Sequence, residues 1–290
     1  MASLGMIFQP TFAPERLRDA ARTAEREGLD ELWVFEDCFK ESGIATMTAA
    51  LAATERLRIG VGILPMPLRN VALTAMELAT IERLFPGRAR FGVGHGVLDW
   101  MGQVGGRVGS PLTLMREYVP ALRSLLAGEE VTTDGRYVHL DRVRLDWPPE
   151  GLLPVLAAGE GPKTLTLTGE VADGTVISTG WSPAAVREAV PRIRAGREAA
   201  GRDAAHEVVV FLMAEFGEGA AERMEAEFDR WGMTGDRRFA ATGSDEAIAA
   251  VAQELLDAGA TTVLLQSRSH EEDLDAYAAA VGRVRGLVRL

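Results

Sequence analysis

The groups in this sequence best suited to chemistry fall into three short stretches. Glu36 and Asp37 are adjacent acids that close an apolar run. Carboxyls so placed exchange protons, and burial raises their hold on one. Successive strand residues face opposite sides, so at most one of the pair should enter a cavity squarely while the other orients a loop. A solvated strand end is the plain alternative. His95 stands between two glycines in Gly92-Val93-Gly94-His95-Gly96, a pattern that lets a ligand or another backbone come close. Its imidazole is either open to a pocket or held as a structural group. The third stretch, Gly159-Glu160-Gly161-Pro162-Lys163-Thr164, also follows an apolar run. Gly161 suits a helix N-cap and Pro162 the first helical position. The amides of Lys163, Thr164 and Leu165 would then face an anion, assisted by the helix dipole and the Lys163 charge. An ordinary strand-to-helix turn that needs glycine for its backbone is the alternative here.

Missing motifs remove whole classes of reaction. His95, His139, His206 and His270 lie far apart, and neither H-x-H nor H-E-x-x-H occurs, so no metal site is expected. No G-x-S-x-G elbow presents a serine nucleophile. The stretch from Gly159 comes nearest to a G-x-x-x-x-G-K-[ST] loop, but Pro162 stands where that loop has glycine. The G-x-G-x-G at 92–96 is not the dinucleotide fingerprint and lacks its acidic partner. Hydrolysis, phosphoryl transfer and nicotinamide binding of the usual kind all lose support.

The elements that must position these groups read as a regular alternation. Strands are expected at Leu4–Gln9, Leu29–Phe35, Leu57–Leu64, Arg88–Val93, Val155–Ala158, Thr175–Ser178, Val208–Met213 and Thr261–Gln266. Helices are expected at Pro14–Glu27, Ile44–Thr54, Asn70–Leu84, from Pro111 to about Ala127, from Pro162, from Pro183, between Ala220 and Leu256, and at the C-terminus. Residues 94–110 form a glycine-rich excursion after the fourth strand, too irregular for an element. Val131–Leu140 reads as a β-hairpin turning at Asp134-Gly135. Eight strand–helix units joined by right-handed crossovers favour an α/β fold of one domain over residues 1–290, a (β/α)8 TIM barrel, over an open doubly wound sheet. Its working face lies at the C-terminal strand ends, which carry Gln9, Glu36, Asp37, Gly62 to Pro67, Gly94 to Trp100, Gly159 to Thr164, Thr179 to Trp181 and Gln266 to Ser269.

Composition limits the setting. With 31 Lys+Arg against 42 Asp+Glu, the net charge is −11, which disfavours a nucleic-acid partner. The lone Cys38 cannot form an intrachain disulfide. The opening MASLGMIFQP lacks the features of a secretion signal, and no apolar stretch is long enough for a membrane span, so a cytoplasmic location is expected.

Six segments in order carry a family resemblance: GLDELWVFEDC, ATERLRIGVGILPMPLRN, AMELATIERLFPGRARFGVGHG, LRSLLAGEEV, PVLAAGEGPKTLTLTGEVADG and GSDEAIAAVAQELLDAGATTVLLQ. They are spread from Gly28 to Gln266, and the resemblance runs over nearly the whole chain. The sequence resembles the luciferase-like flavin/deazaflavin oxidoreductases, especially short coenzyme F420-dependent members related to methylenetetrahydromethanopterin reductase. The resemblance implies the (β/α)8 barrel again. It also implies a non-prolyl cis peptide at Gly62-Ile63, bulging behind the cofactor ring. Contacts to that ring fall on Gly94, His95 and Gly96, and the phosphate turn falls on Gly159, Glu160, Gly161, Lys163 and Thr164. Gln9, Ile63, Trp100 and Trp181 would line the substrate side. The implied reaction moves a hydride between the deazaflavin C5 and a small organic substrate at an activated C=C, C=N or carbonyl, with Glu36, Asp37 or His95 handling the proton. Many relatives have Asp-His where this chain has Glu36-Asp37, and His95 would supply the missing imidazole. The alternatives are an FMN-dependent monooxygenase of the same broad family and a cofactor-binding barrel without catalysis. A small-molecule substrate and a homodimer are expected as partners.

Overall fold

Aliphatic and β-branched runs form short strands, and each is followed by a helix that usually opens on a capping side chain. The structure is a computed structural model and describes residues 2–290. The first half runs β1 (Ser3–Phe8), α1 (Leu17–Arg26), β2 (Glu31–Val34), α2 (Gly43–Ala53), β3 (Arg58–Pro65), α3 (Val71–Leu84) and β4 (Ala89–Gly94). An excursion follows with α4 (Leu98–Gln103), α5 (Pro111–Leu126) and a hairpin of β5 (Val131–Asp134) and β6 (His139–Val143). The second half runs β7 (Leu156–Ala158), α6 (Pro162–Val171), β8 (Gly174–Ile177), α7 (Pro183–Ala199), β9 (Glu207–Phe216), α8 (Ala220–Arg230), β10 (Ala241–Gly243), α9 (Asp245–Asp257), β11 (Thr262–Gln266) and α10 (Leu274–Leu287). Ser42, Asn70, Ser110, Ser182, Ser244 and Asp273 each accept a first-turn amide at the start of α2, α3, α5, α7, α9 and α10.

The strands pair in the order β1-β2-β3-β4-β7-β8-β9-β11, and β11 returns to β1. All of these pairings are parallel, so the ring of eight closes into the expected barrel. β10 pairs only with β9 and lies outside the ring.

Period-two alternation divides the core into two shells. Ile7, Trp33, Leu156, Val176, Val209, Phe211 and Leu264 fill the barrel interior, while Met6, Phe8, Leu32 and Val34 face the helices. Glycine makes room for the large interior rings. A Cβ on Gly60 would lie 2.2 Å from two atoms of the Trp33 ring. One on Gly62 would lie 2.6 Å from Phe211 Cζ. At the N-terminal strand ends, Glu31 is 1% exposed and accepts bonds from Ser3 Oγ (2.9 Å), Trp33 Nε1 (2.7 Å) and Arg58 Nη2 (2.9 Å). A buried carboxylate persists when its charge is met in this way, and the network closes the floor.

β3 is interrupted where the resemblance implied it would be. Its register with β4 shifts between Val61 and Leu64, and the Gly62-Ile63 peptide is cis. Cys38-Phe39 is also cis, which the sequence did not suggest.

Three expectations need correction. Residues 94–110 contain the short helix α4. The hairpin pairs Asp134 with His139, so its turn spans 135–138 and is wider than an Asp134-Gly135 turn. Glu117 of α5 explains the width, because its carboxylate accepts from the amides of Arg136 (2.9 Å), Tyr137 (2.8 Å) and Val138 (3.2 Å). The stretch between Ala220 and Leu256 holds two helices separated by β10. No helix among the described residues is long and apolar enough to cross a membrane.

Candidate active site

A cavity of about 610 Å³ opens at the C-terminal ends of the ring strands, within the usual range for small-molecule sites. Its wall brings together Glu36, Asp37, Gly62, Ile63, His95, Gly96, Trp100, Gly159, Glu160, Gly161 and Thr164 from among the residues singled out in the sequence. Gly94, Lys163, Gln9 and Trp181 are not part of that wall. Gly94 lies against Ile63, and a Cβ there would be 3.0 Å from Ile63 Cδ1. Lys163 is exposed on the first turn of α6. Gln9 is 1% exposed and sits behind Gln266: its Nε2 donates to Ser267 O (2.6 Å), and its Oε1 accepts from Gln266 Nε2 (3.2 Å). Trp181 has the Arg237 guanidinium 4.8 Å from its ring centre, and its indole N–H is buried without a partner.

The two adjacent acids divide their tasks. Glu36 accepts from the amide of Gly43 (2.7 Å) and from Arg69 Nε (3.1 Å) and Nη2 (2.6 Å). Arg69 also donates to both oxygens of Glu77, at 3.0 and 2.8 Å. Glu36 therefore ties the loop after β2 to the starts of α2 and α3. Its charge is spent on structure. Asp37 has no such clamp, and burial raises its pKa while Lys40 partly opposes the rise. His95 is the converse case. Burial lowers its pKa, so the ring is neutral at pH 7, and Nδ1 is buried without a partner.

The start of α6 differs from the helices capped by side chains. Its N-cap is Gly161, which offers no side-chain acceptor. The first-turn amides, orphaned at every helix start, are left to an anion or solvent. Glu160 stands beside them, accepting from Ser178 Oγ and pairing with Arg237. Arg237 Nη1 also donates to the carbonyl of Thr179 at 3.4 Å.

Sequence reasoning missed part of the wall. Phe211 and Met213 are alternate residues of β9, so their inward phase was readable from period two. Thr179 and Gln266 were placed at strand ends without a role. Trp231 and Met233 come from the segment between α8 and β10, which carries no barrel periodicity.

The model of the luciferase-like monooxygenase family matches residues 3–286. The chain belongs to that family. The 5,10-methylenetetrahydromethanopterin reductase of Methanolobus tindarius is 31% identical over 201 residues, covering 69% of this chain and 61% of that protein. An F420-dependent glucose-6-phosphate dehydrogenase of Mycolicibacterium fortuitum is 33% identical over 224 residues, covering 70% and 66%. The chain thus aligns with less than two thirds of the length of these curated relatives. Among solved structures, an F420-dependent secondary alcohol dehydrogenase bound to an F420-acetone adduct superposes with a TM-score of 0.89 at 22% identity, covering 99% of both chains. The F420-dependent tetrahydromethanopterin reductase of Methanopyrus kandleri gives 0.82 at 21% identity, covering 97% of both. At those identities the likeness shows a shared barrel fold.

Proposed function

We propose that this chain is an F420-dependent oxidoreductase, built as one barrel domain, that reduces a small organic substrate at an activated C=C, C=N or carbonyl bond. One observation carries the reading: a single cavity holds an uncapped helix start, an apolar bulge and two groups able to exchange a proton. Relatives named as F420-dependent enzymes at 32–33% identity support the choice of cofactor.

The residues fit a flat ring with an anionic tail. Gly96 has φ +66°, and a Cβ there would lie 3.0 Å from Pro65 Cβ, so the wall at this point is bare backbone. Gly96 and Ile63 would hold the ring, and the first-turn amides of α6 with Thr164 would hold the phosphate. When bound, the reduced deazaflavin supplies a hydride from its C5. Asp37 retains a proton to higher pH than an exposed aspartate does and donates it to the reduced substrate. The neutral His95 orients the reacting oxygen or nitrogen by hydrogen bonding. Trp100, Trp231 and Met233 exclude water from the cavity. In the oxidative direction Asp37 would accept the proton instead.

Titrating the purified protein with F420 and with FMN tests this reading. Saturable F420 binding, tighter than FMN binding, is expected. A preference for FMN accompanied by oxygen uptake would reject it in favour of a monooxygenase.

A further inference from the structure

The charge of the cavity wall restricts what can bind beside the cofactor. Among the described residues no lysine or arginine lines it, whereas Glu36, Asp37 and Glu160 do. The guanidinium groups nearest these acids are already committed. Arg69 is held between Glu36 and Glu77. Arg237 is paired with Glu160 and stacked on Trp181. Gln266 also lines the wall; one of its two amide N–H groups donates to Gln9 and its carbonyl oxygen is buried without a partner, so it offers a neutral polar group and no charge. The rest of the wall away from α6 is made chiefly of Phe35, Trp100, Phe211, Met213, Trp231 and Met233.

From this lining we infer that the substrate is electrically neutral, with an apolar body of several carbons and one polar reacting group that meets Asp37 and His95. The inference rests on the F420 reading in one respect: the first-turn amides of α6 serve the cofactor phosphate and are not free for a substrate anion. A phosphorylated sugar, the substrate in the name of one relative, would bury its charge among carboxylates with no cation in the wall to meet it; Lys40 lies outside that wall and already offsets Asp37. An apolar body gains with each methylene removed from water, and two indoles and two thioethers shape that surface.

The test measures binding, so it does not depend on turnover. Calorimetric titrations use methyl ketones of increasing length, with glucose 6-phosphate as the anionic probe. They are run on the ligand-free protein and on protein saturated with oxidised F420, where ketones cannot be reduced. Fluorescence titration of F420 alone reports separately on the cofactor assignment. The Kd for ketones should fall about fourfold per added methylene until the cavity is full, the equivalent of ~0.8 kcal/mol. Glucose 6-phosphate should bind the F420-saturated protein on the order of a hundredfold more weakly than the best ketone. Met233→Ala should weaken the longest ketone several-fold and propanone hardly at all. Tighter binding of the sugar phosphate to the F420-saturated form, no dependence on chain length, or no ketone binding to either form would overturn the inference even if F420 binds well. Failure of F420 to bind while the ketone trend holds would instead count against the cofactor reading alone.

Discussion

Gly94→Ala tests whether Ile63 forms the wall of the cofactor site. The new Cβ would lie 3.0 Å from Ile63 Cδ1, 3.1 Å from Ile63 Cγ1 and 3.1 Å from Ala158 Cβ. Carbon atoms rest ~3.5–4.0 Å apart, so Ile63 must yield by roughly half an ångström. Ile63 Cγ2 already packs over the bare backbone of Gly92, 2.9 Å from where a Cβ would stand there, while the open side of Ile63 lines the cavity. The side chain therefore moves toward the cavity. Overpacking of this kind costs about 1–3 kcal/mol, and replacing a strand glycine returns roughly 0.5–1 kcal/mol. A net loss of about 0–2.5 kcal/mol should lower Tm by only a few degrees. F420 affinity, read by fluorescence titration, should fall roughly tenfold, or ~1.4 kcal/mol. Gly60→Ala is the control in the same barrel. Its Cβ would meet the rigid, fully buried Trp33 ring at 2.2 Å, and the variant should fail to fold or lose more than ~4 kcal/mol. A Gly94→Ala protein with a lowered Tm but normal F420 affinity would refute the placement of Ile63 against the ring.

Asp37→Asn should reduce turnover about 10²–10⁴-fold. In the wild type the reductive rate should decline as pH rises through the elevated Asp37 pKa, and the variant's profile should lose that limb; an unchanged limb would assign the proton to another group. Burial pushes Glu41 up to about 7 from 4.5, and both of its oxygens are buried without partners. The folded protein then binds more protons than the unfolded chain between those values, so stability falls as pH rises across the window. Glu41→Gln should therefore stabilise the protein at pH 8 by roughly 1–3 kcal/mol after allowance for solvent screening, with no gain below pH 4; equal shifts in denaturant midpoint at both pH values would contradict this. Lys163 is exposed, so Lys163→Ala should weaken F420 binding only a few-fold at low salt and not at all near 1 M. A loss that persists at high salt would make Lys163 a direct ligand.

The barrel was legible because its strands are buried on both faces, which leaves short apolar runs set apart by helices with an amphipathic stripe. Features fixed by a distant side chain were not legible. The width of the hairpin turn depends on Glu117, whose spacing from Arg136 carries no local signal. The division of labour between Glu36 and Asp37 depends on Arg69, on the far side of β3. Strand-end arithmetic placed His95 and the turn from Gly159 at the cavity mouth, and both stand in its wall. It placed Gln9 one shell too far forward, because its amide is drawn behind Gln266 by Ser267. Trp231, Met233 and Arg237 lie in an irregular connection, where neither period two nor period 3.6 assigns a direction.

β10 hydrogen-bonds to a single neighbour and contributes nothing to closure of the ring. The connection that precedes it can therefore vary in length and sequence without disturbing the eight strands that set the rest of the pocket. Residues 231–236 form a natural cassette once Arg237 is kept to hold Glu160, and libraries confined to it should retune which molecules are accepted while sparing the scaffold.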